Sequence, residues 1–251
     1  MNQLVKKYNS FVRGYREIEK ETTENEIHDK RVTLRRIFPI LAAYRIKPSK
    51  VKNGEEAFHL FGKLRDVQVQ RLKLERIDRT PEITEYLVFL KKRELKLQGK
   101  VRKFCNRKKL KFPVLKKKSD IDNLRIVDKA GKMLNKLIAR MHSGSIDDAR
   151  DIHKIRIEFK KFRYVVEILS YIENIDEAKL EEMKLYQDRL GEIHDYEVLM
   201  DGIRKYFRKG KPNAEEIIEQ FEKEQDRLIV GFENDIEACI VLCREVLIKK
   251  G

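Results

Sequence analysis

A histidine-led run of cations occurs twice in this chain, about 125 residues apart, and each copy is followed by the same second motif. The segment Ile27-His28-Asp29-Lys30-Arg31-Val32-Thr33-Leu34-Arg35-Arg36 aligns with Ile152-His153-Lys154-Ile155-Arg156-Ile157-Glu158-Phe159-Lys160-Lys161. His28 thereby matches His153, and Arg31, Arg35 and Arg36 match Arg156, Lys160 and Lys161. Downstream, Phe61-Gly62-Lys63-Leu64-Arg65-Asp66-Val67-Gln68-Val69 aligns with Leu190-Gly191-Glu192-Ile193-His194-Asp195-Tyr196-Glu197-Val198. Two motifs repeating in one order, at half the chain length, mean that one supersecondary unit is built twice.

The period inside each copy is helical. Leu4, Val5, Tyr8, Phe11, Val12, Tyr15 and Ile18 recur at the spacing of one helix face, which predicts a first helix. The same spacing predicts further helices at 24–45, 54–78, 81–110, 121–142, 146–173, 176–208 and 213–249, eight in all. With 11 Gly and 5 Pro in 251 residues, punctuation is scarce enough for helices this long. It falls at Lys47-Pro48-Ser49, Asn53-Gly54, Thr80-Pro81, Ser143-Gly144-Ser145 and Gly210-Lys211-Pro212-Asn213. Pro39 lies inside the second pattern, where it removes a backbone donor and is expected to kink the helix rather than end it. The expected fold is therefore all-α: two pseudo-symmetric four-helix bundles, 1–120 and 121–251, packed as one compact helical domain.

At about 100° per residue, Arg31, Arg35 and Arg36 fall at about 300°, about 340° and about 80° from His28, so histidine and cations share one broad face. Ile27, Leu34, Ile37 and Leu41 form an apolar stripe on the other side, which must face a core. The second copy repeats the division, with His153, Arg156, Lys160, Lys161 and Arg163 opposite Ile152, Ile155, Phe159, Phe162 and Val166. A single charge run usually means a solvated helix face. Two copies in register, each led by a histidine one turn before its first Arg, point instead to a ligand that supplies counter-charge. Phosphate suits such a face, because Arg offers a planar fork of donors and Lys a mobile point charge. A chain of phosphates would engage both clusters. For His28 and His153 themselves, bonding to backbone at a helix start and contact with a ligand are both open.

Charge agrees with a polyanionic partner but localises it poorly. Lys and Arg total 57 against 42 Asp and Glu, a formal +15, with 39 basic and 19 acidic residues in 1–150 and 18 and 23 in 151–251. Residues 91–118 hold 14 cations against the single acid Glu94, which either widens the anion surface or simply solubilises a helix and a basic loop at Lys116-Lys117-Lys118. Cys105, Cys239 and Cys243 form no disulfide framework, and Cys239 and Cys243, four apart without a histidine nearby, suit buried packing better than a metal site. No apolar run reaches membrane-span length and no signal peptide leads the chain, so a cytoplasmic protein without membrane association is expected.

The motifs resemble those of the CHAD family, the conserved-histidine α-helical domain. The residues that carry the resemblance are His28-x-x-Arg31-x-x-x-Arg35-Arg36 followed by Leu60-Phe61-Gly62-x-x-Arg65-Asp66. In the second half they are His153-x-x-Arg156-x-x-x-Lys160-Lys161-x-Arg163-Tyr164 with Glu167, then Gln187-Asp188-x-Leu190-Gly191-x-x-x-Asp195. The resemblance implies a basic central cavity that binds inorganic polyphosphate, free or in granules, without catalysis and without a metal or other cofactor. Carried over position by position, it implies contacts from His28, Arg31, Arg35, Arg36 and Arg65, and from His153, Arg156, Lys160, Lys161 and Arg163. His194 stands where the first half has Arg65, a departure from the pattern. The Glu-x-Glu-x-Lys strand of the triphosphate-tunnel domains often fused to this family does not occur here, so the chain resembles the stand-alone form.

Two other functions compete. His28-Asp29 and His194-Asp195 are His-Asp dipeptides, as in helical HD-type metal-dependent phosphohydrolases, although His153 is followed by Lys154 and cations crowd these positions. A nucleic-acid backbone would also suit basic helices, but the stacking aromatics of single-strand platforms are not interleaved with the clusters.

Overall fold

The structure is a computed structural model and describes residues 3–17, 24–115, 123–142, 149–207 and 212–247. The chain divides into two compact units, Met1–Ile121 and Asp122–Gly251. In the first, α1 (Gln3–Glu17), α2 (Glu24–Ala43), α3 (Gly54–Leu74) and α4 (Pro81–Arg107) pack in sequence, α1 on α2, α2 on α3 and α3 on α4, with a 3-10 turn at Pro48–Lys50. In the second, α5 (Asn123–Met141), α6 (Ala149–Leu169), α7 (Glu177–Phe207), α8 (Pro212–Asn234) and α9 (Ile236–Glu245) pack as α5 on α6, α6 on α7 and α7 on α8, with α9 set against α5, α7 and α8. No strand occurs among the described residues beyond an isolated bridge between Lys52 and Lys111.

The expected eight helices become nine among the described residues, because the segment expected as one helix over 213–249 breaks at Asp235. Asn234 and Asp235 are poor helix formers whose side chains compete for backbone groups, and the Asp235 carboxylate is drawn to Arg189 on α7. The helix patterns at 24–45, 54–78, 81–110 and 146–173 also run past the observed ends at Ala43, Leu74, Arg107 and Leu169. Ser143-Gly144-Ser145 and Lys116-Lys117-Lys118 lie outside the described residues.

Sequence punctuation explains the starts. The Thr80 side chain accepts a hydrogen bond from the Ile83 N–H at 3.3 Å, and Pro81 opens α4 where its missing donor costs nothing. Asn53 adopts a left-handed conformation, φ 63°, and donates its side-chain amide to the Lys109 carbonyl at 3.0 Å. Gly54 then starts α3 so close to the buried Val51 that a Cβ would lie 2.6 Å from Val51 Cγ1, which only glycine avoids. Pro39 sits inside α2, and the helix continues to Ala43.

Residues 108–110, expected at the end of the 81–110 helix, are not helical. Lys109–Leu115 run as an extended strap over the first unit, held by the Lys52 bridge, by Tyr8 donating to the Pro113 carbonyl at 2.7 Å, and by Phe112 edge-on to Tyr15 at 5.5 Å. Glu94, the single acid of the basic stretch, points inward. It is buried against α3 and accepts from Arg71 at 2.7 Å, from Gln98 at 3.3 Å and from Gln68 at 3.4 Å. The cations of α4 therefore ride on a helix whose inward face is clamped by one charge-assisted cluster.

Breaking that cluster from one side takes from Arg71 its 2.7 Å carboxylate partner on α4, on a side chain only 16% exposed. We expect Glu94→Leu to lower the unfolding free energy by about 2–3 kcal/mol, seen as a lower urea midpoint with helical content unchanged before the transition.

Candidate anion-binding site

The cations are placed by the apolar stripe behind them. Ile27, Leu34, Ile37 and Leu41 of α2, and Ile152, Ile155, Phe159, Phe162 and Val166 of α6, are all fully enclosed. With those residues committed to a core, the histidine-led face of each helix is turned elsewhere, toward the edge of the next helix. One departure is Lys30, fully buried at the position that Ile155 fills in the second unit.

In the first unit the two motifs meet. A Cβ on Gly62 of α3 would lie 3.6 Å from Arg31 Nε and 3.8 Å from the nearer terminal nitrogen, so the guanidinium passes directly over this glycine. The Phe58 ring lies on the same group, its centroid 5.2 Å from the guanidinium carbon. Gly62 is thus the floor under Arg31, one helical turn before Arg65. His28 keeps solvent access, yet the protein packed around its ring, and then Arg65, Arg35 and Arg31, hold its pKa below the ordinary 6.5, with Asp29 opposing. His28, Arg31, Arg35 and Arg65 accordingly form one electrostatic cluster across α2 and α3. Arg36 turns the other way, its guanidinium carbon 5.6 Å from the Phe11 ring centroid on α1.

The second unit repeats the meeting with different chemistry. His153 on α6 faces His194 on α7, with ring centroids 4.8 Å apart and the two Nδ1 atoms 3.2 Å apart. Glu197, one turn beyond His194, brings Oε2 to 2.9 Å from His194 Nδ1 and 3.9 Å from His153 Nδ1. Partial burial, the neighbouring His194 ring and Arg156 hold the His153 pKa below its ordinary value, against the pull of Glu197. Lys160 is half-buried and Lys161 exposed. Nothing approaches within 4 Å of where a Cβ on Gly191 would lie, so Arg156 does not cross this glycine as Arg31 crosses Gly62.

Arg163 has a separate task. Its Nε donates to Gln187 at 2.8 Å, its terminal nitrogen lies 3.7 Å from Glu167, and its guanidinium lies over the Tyr164 ring. Tyr171 in turn donates to Glu167 at 3.0 Å. These motif residues tie α6 to α7 and neutralise the Arg163 charge within the fold. The residue that sequence reasoning passed over is Glu197. Its signal was the turn spacing to His194, legible only once His194 was seen beside His153.

Two helical units whose duplicated histidine motif meets the next motif across a helix pair define a fold class before any ligand is considered. The chain belongs to the CHAD domain family, whose model matches residues 3–204. A crystal structure of the CHAD domain from the plant Ricinus communis has the same fold, with a TM-score of 0.60 at 16% identity over 94% of this chain and 87% of that one. No curated protein sequence matches the chain.

The contact of Arg31 with Gly62 can be tested sterically. An alanine methyl fits at ordinary contact distance, so Gly62→Ala should keep or raise stability by up to about 1 kcal/mol, as glycine replacement in a helix does. Gly62→Leu should displace Arg31 and lower the urea midpoint below that of Gly62→Ala while the circular dichroism spectrum is retained.

Proposed function

We propose that the chain binds inorganic polyphosphate without turning it over, through His28, Arg31, Arg35, Arg36 and Arg65 of the first unit and His153, Arg156, Lys160, Lys161 and Arg163 of the second. The observation that carries this reading is the Arg31 guanidinium, from the helix that also carries His28 and Arg35, lying over Gly62 of α3 one turn before Arg65. Gathering like charges costs free energy in the unliganded protein, and an anion returns it. Guanidinium groups bind phosphate oxygens through paired donors, and a half-buried position strengthens each bond relative to bulk water. Membership of the CHAD family, which is associated with polyphosphate binding, supports the same ligand.

The ten residues do not contribute alike. Arg163 is balanced by Glu167, so its part is to fix α6 on α7 and thereby aim Arg156 and Lys160. Arg36, resting on Phe11, adds charge at the margin. The cytoplasm suits a chain with three free cysteines, two of them buried in α9. Among the described residues, no helix is long and apolar enough to cross a membrane.

Two measurements test the reading. Affinity for polyphosphate should fall steeply with salt, and replacing Arg31 and Arg156 together by Ala should reduce the slope of log K against log salt by about 1–2. Arg163→Ala should leave that slope nearly unchanged while lowering stability. An unaltered slope in the double variant would mean that the clusters are solvated faces. A nucleic-acid oligonucleotide that polyphosphate of equal charge cannot displace would assign the site to nucleic acid, and phosphate release from polyphosphate, with or without divalent metal, would make the protein a hydrolase.

The second measurement uses the histidines. Both have pKa values below the ordinary 6.5 in the unliganded protein, and a bound polyanion favours their charged forms, so the pKa values rise on binding. Proton uptake should therefore accompany binding, and affinity should increase as pH falls through and below about 6.5. Calorimetry in two buffers of different ionisation enthalpy reads the uptake directly, and replacing His28 and His153 by Gln should abolish it. For stability without ligand the sign is opposite. Depressed histidine pKa values contribute stability above about 6.5 that is lost as pH falls through the folded-state values.

A further inference from the structure

The repeat is broken at two positions together. Where the first unit has Arg65 and Gln68, the second has His194 and Glu197. With neutral imidazole, the pair changes from a net charge of +1 to −1, at the place where the histidine-led helix meets its neighbour. His153, His194 and Glu197 form the one group among the described residues whose donor atoms could hold a metal ion, all within 4.8 Å of one another.

The three donor atoms surround one point at metal-bond distance. His153 Nδ1, His194 Nδ1 and Glu197 Oε2 are separated by 3.2, 2.9 and 3.9 Å, and the point equidistant from all three lies about 2.0 Å from each, the usual length of a zinc bond to imidazole or carboxylate. Protons alone serve this triangle poorly. An imidazole Nδ1 has a single in-plane site, holding either a proton or a lone pair, yet His194 Nδ1 faces both a carboxylate oxygen at 2.9 Å and a second Nδ1 at 3.2 Å. One proton on His194 points at Glu197 or is divided between the two contacts. A cation at the centre satisfies all three lone pairs.

We propose that His153, His194 and Glu197 bind a divalent transition-metal ion, with Zn²⁺ as the first candidate. Two imidazoles and one carboxylate are a donor set of intermediate softness, suited to Zn²⁺ before Mg²⁺ or Ca²⁺. The side chains are 36%, 22% and 34% exposed, so an ion can enter and solvent can complete its coordination. Arg156 opposes an added cation through its charge, and it also helps keep His153 neutral and able to ligate. Glu197 offsets part of the repulsion. An ion of charge +2 with Glu197 has a net charge of +1, the charge that Arg65 and Gln68 provide in the first unit. If the proposed polyphosphate reading holds, the open coordination position accepts a phosphate oxygen where the first unit offers Arg65. That last step rests on the polyphosphate reading, and the metal site itself does not.

The test is equilibrium dialysis of the chelator-treated full chain against Zn²⁺ without any polyanion. One equivalent is expected, with at least a tenfold loss of affinity in His194→Ala and in Glu197→Gln, both retaining wild-type circular dichroism. Co²⁺ as a spectroscopic probe should show the bands of nitrogen and oxygen ligation. Binding that is absent, or that survives both substitutions, overturns the site, as does an intense thiolate charge-transfer band, which would move the ion to a cysteine. Polyphosphate titrations of chelator-treated protein then separate the two readings. The double variant His194→Arg, Glu197→Gln, which restores the pair of the first unit, should bind polyphosphate several-fold more tightly than metal-free wild type. Equal affinities would overturn the phosphate-anchoring role alone, and no polyphosphate binding by either would overturn the function proposed above while leaving the metal measurement to stand.

Discussion

Burial of one face of α2, and of the matching face of α6, determines where every charge of the candidate site can go. Ile27, Leu34, Ile37 and Leu41 in the first unit, and Ile152, Ile155, Phe159, Phe162 and Val166 in the second, are enclosed at 1% exposure or less. Each such side chain stabilises the fold by about 1.5–3 kcal/mol when withdrawn from water. A few tenths of a kcal/mol of repulsion between cations one turn apart cannot compete with that. The helices therefore dock by their apolar stripes and tolerate the crowding of His28, Arg31 and Arg35 that results. The cations are placed by the apolar core behind them, which fixes the shape of the site.

The neighbouring helix decides what the crowding becomes. In the first unit, α3 offers Gly62, a surface without a side chain on which the Arg31 guanidinium can lie, and then Arg65, which adds to the positive field. In the second, α7 offers His194 and Glu197, which convert the same location into a cluster of three donors, while Gln187 and the Glu167 carboxylate draw in Arg163. A histidine-led helix packed on the next helix, α2 on α3 and α6 on α7, thus supports two electrostatic solutions. The difference lies in four side chains on α3 and α7, and the scaffold that presents them is the same pair of antiphase stripes.

This bears on what the sequence could reveal. The helical period and the duplicated motif were enough for the fold class, because helices form where apolar residues recur once per turn. The break at Asp235 was not legible, since Asn234-Asp235 carries neither Gly nor Pro and the apolar spacing continues through it; an ion pair with Arg189 made in three dimensions marks the spot. The early end of α4 was hidden for a similar reason. Leu110 continues the apolar rhythm of that helix, but Tyr8, Tyr15 and Lys52, distant in sequence, hold the segment after Arg107 extended. Helical angles also grouped Arg36 and Arg163 with the other cations. Long side chains reach beyond their own helical azimuth, and Phe11 and Gln187 claim these two.

The histidines show why charge counts alone describe this protein badly. The first unit is strongly basic and places its histidine among arginines, so that His28 is driven toward its neutral form by partial burial and then by like charge. The second carries more acids than bases over 151–251, and there the depression of His153 comes from partial burial, a second imidazole and Arg156, opposed by a carboxylate. Burial leads both shifts, and the charges that add to it differ. Neutral imidazole beside cations is a group able either to take up a proton when an anion arrives or to offer a lone pair to a metal. Which of the two it does depends on the residue facing it, and at that position the chain has an arginine in one unit and a histidine with a glutamate in the other.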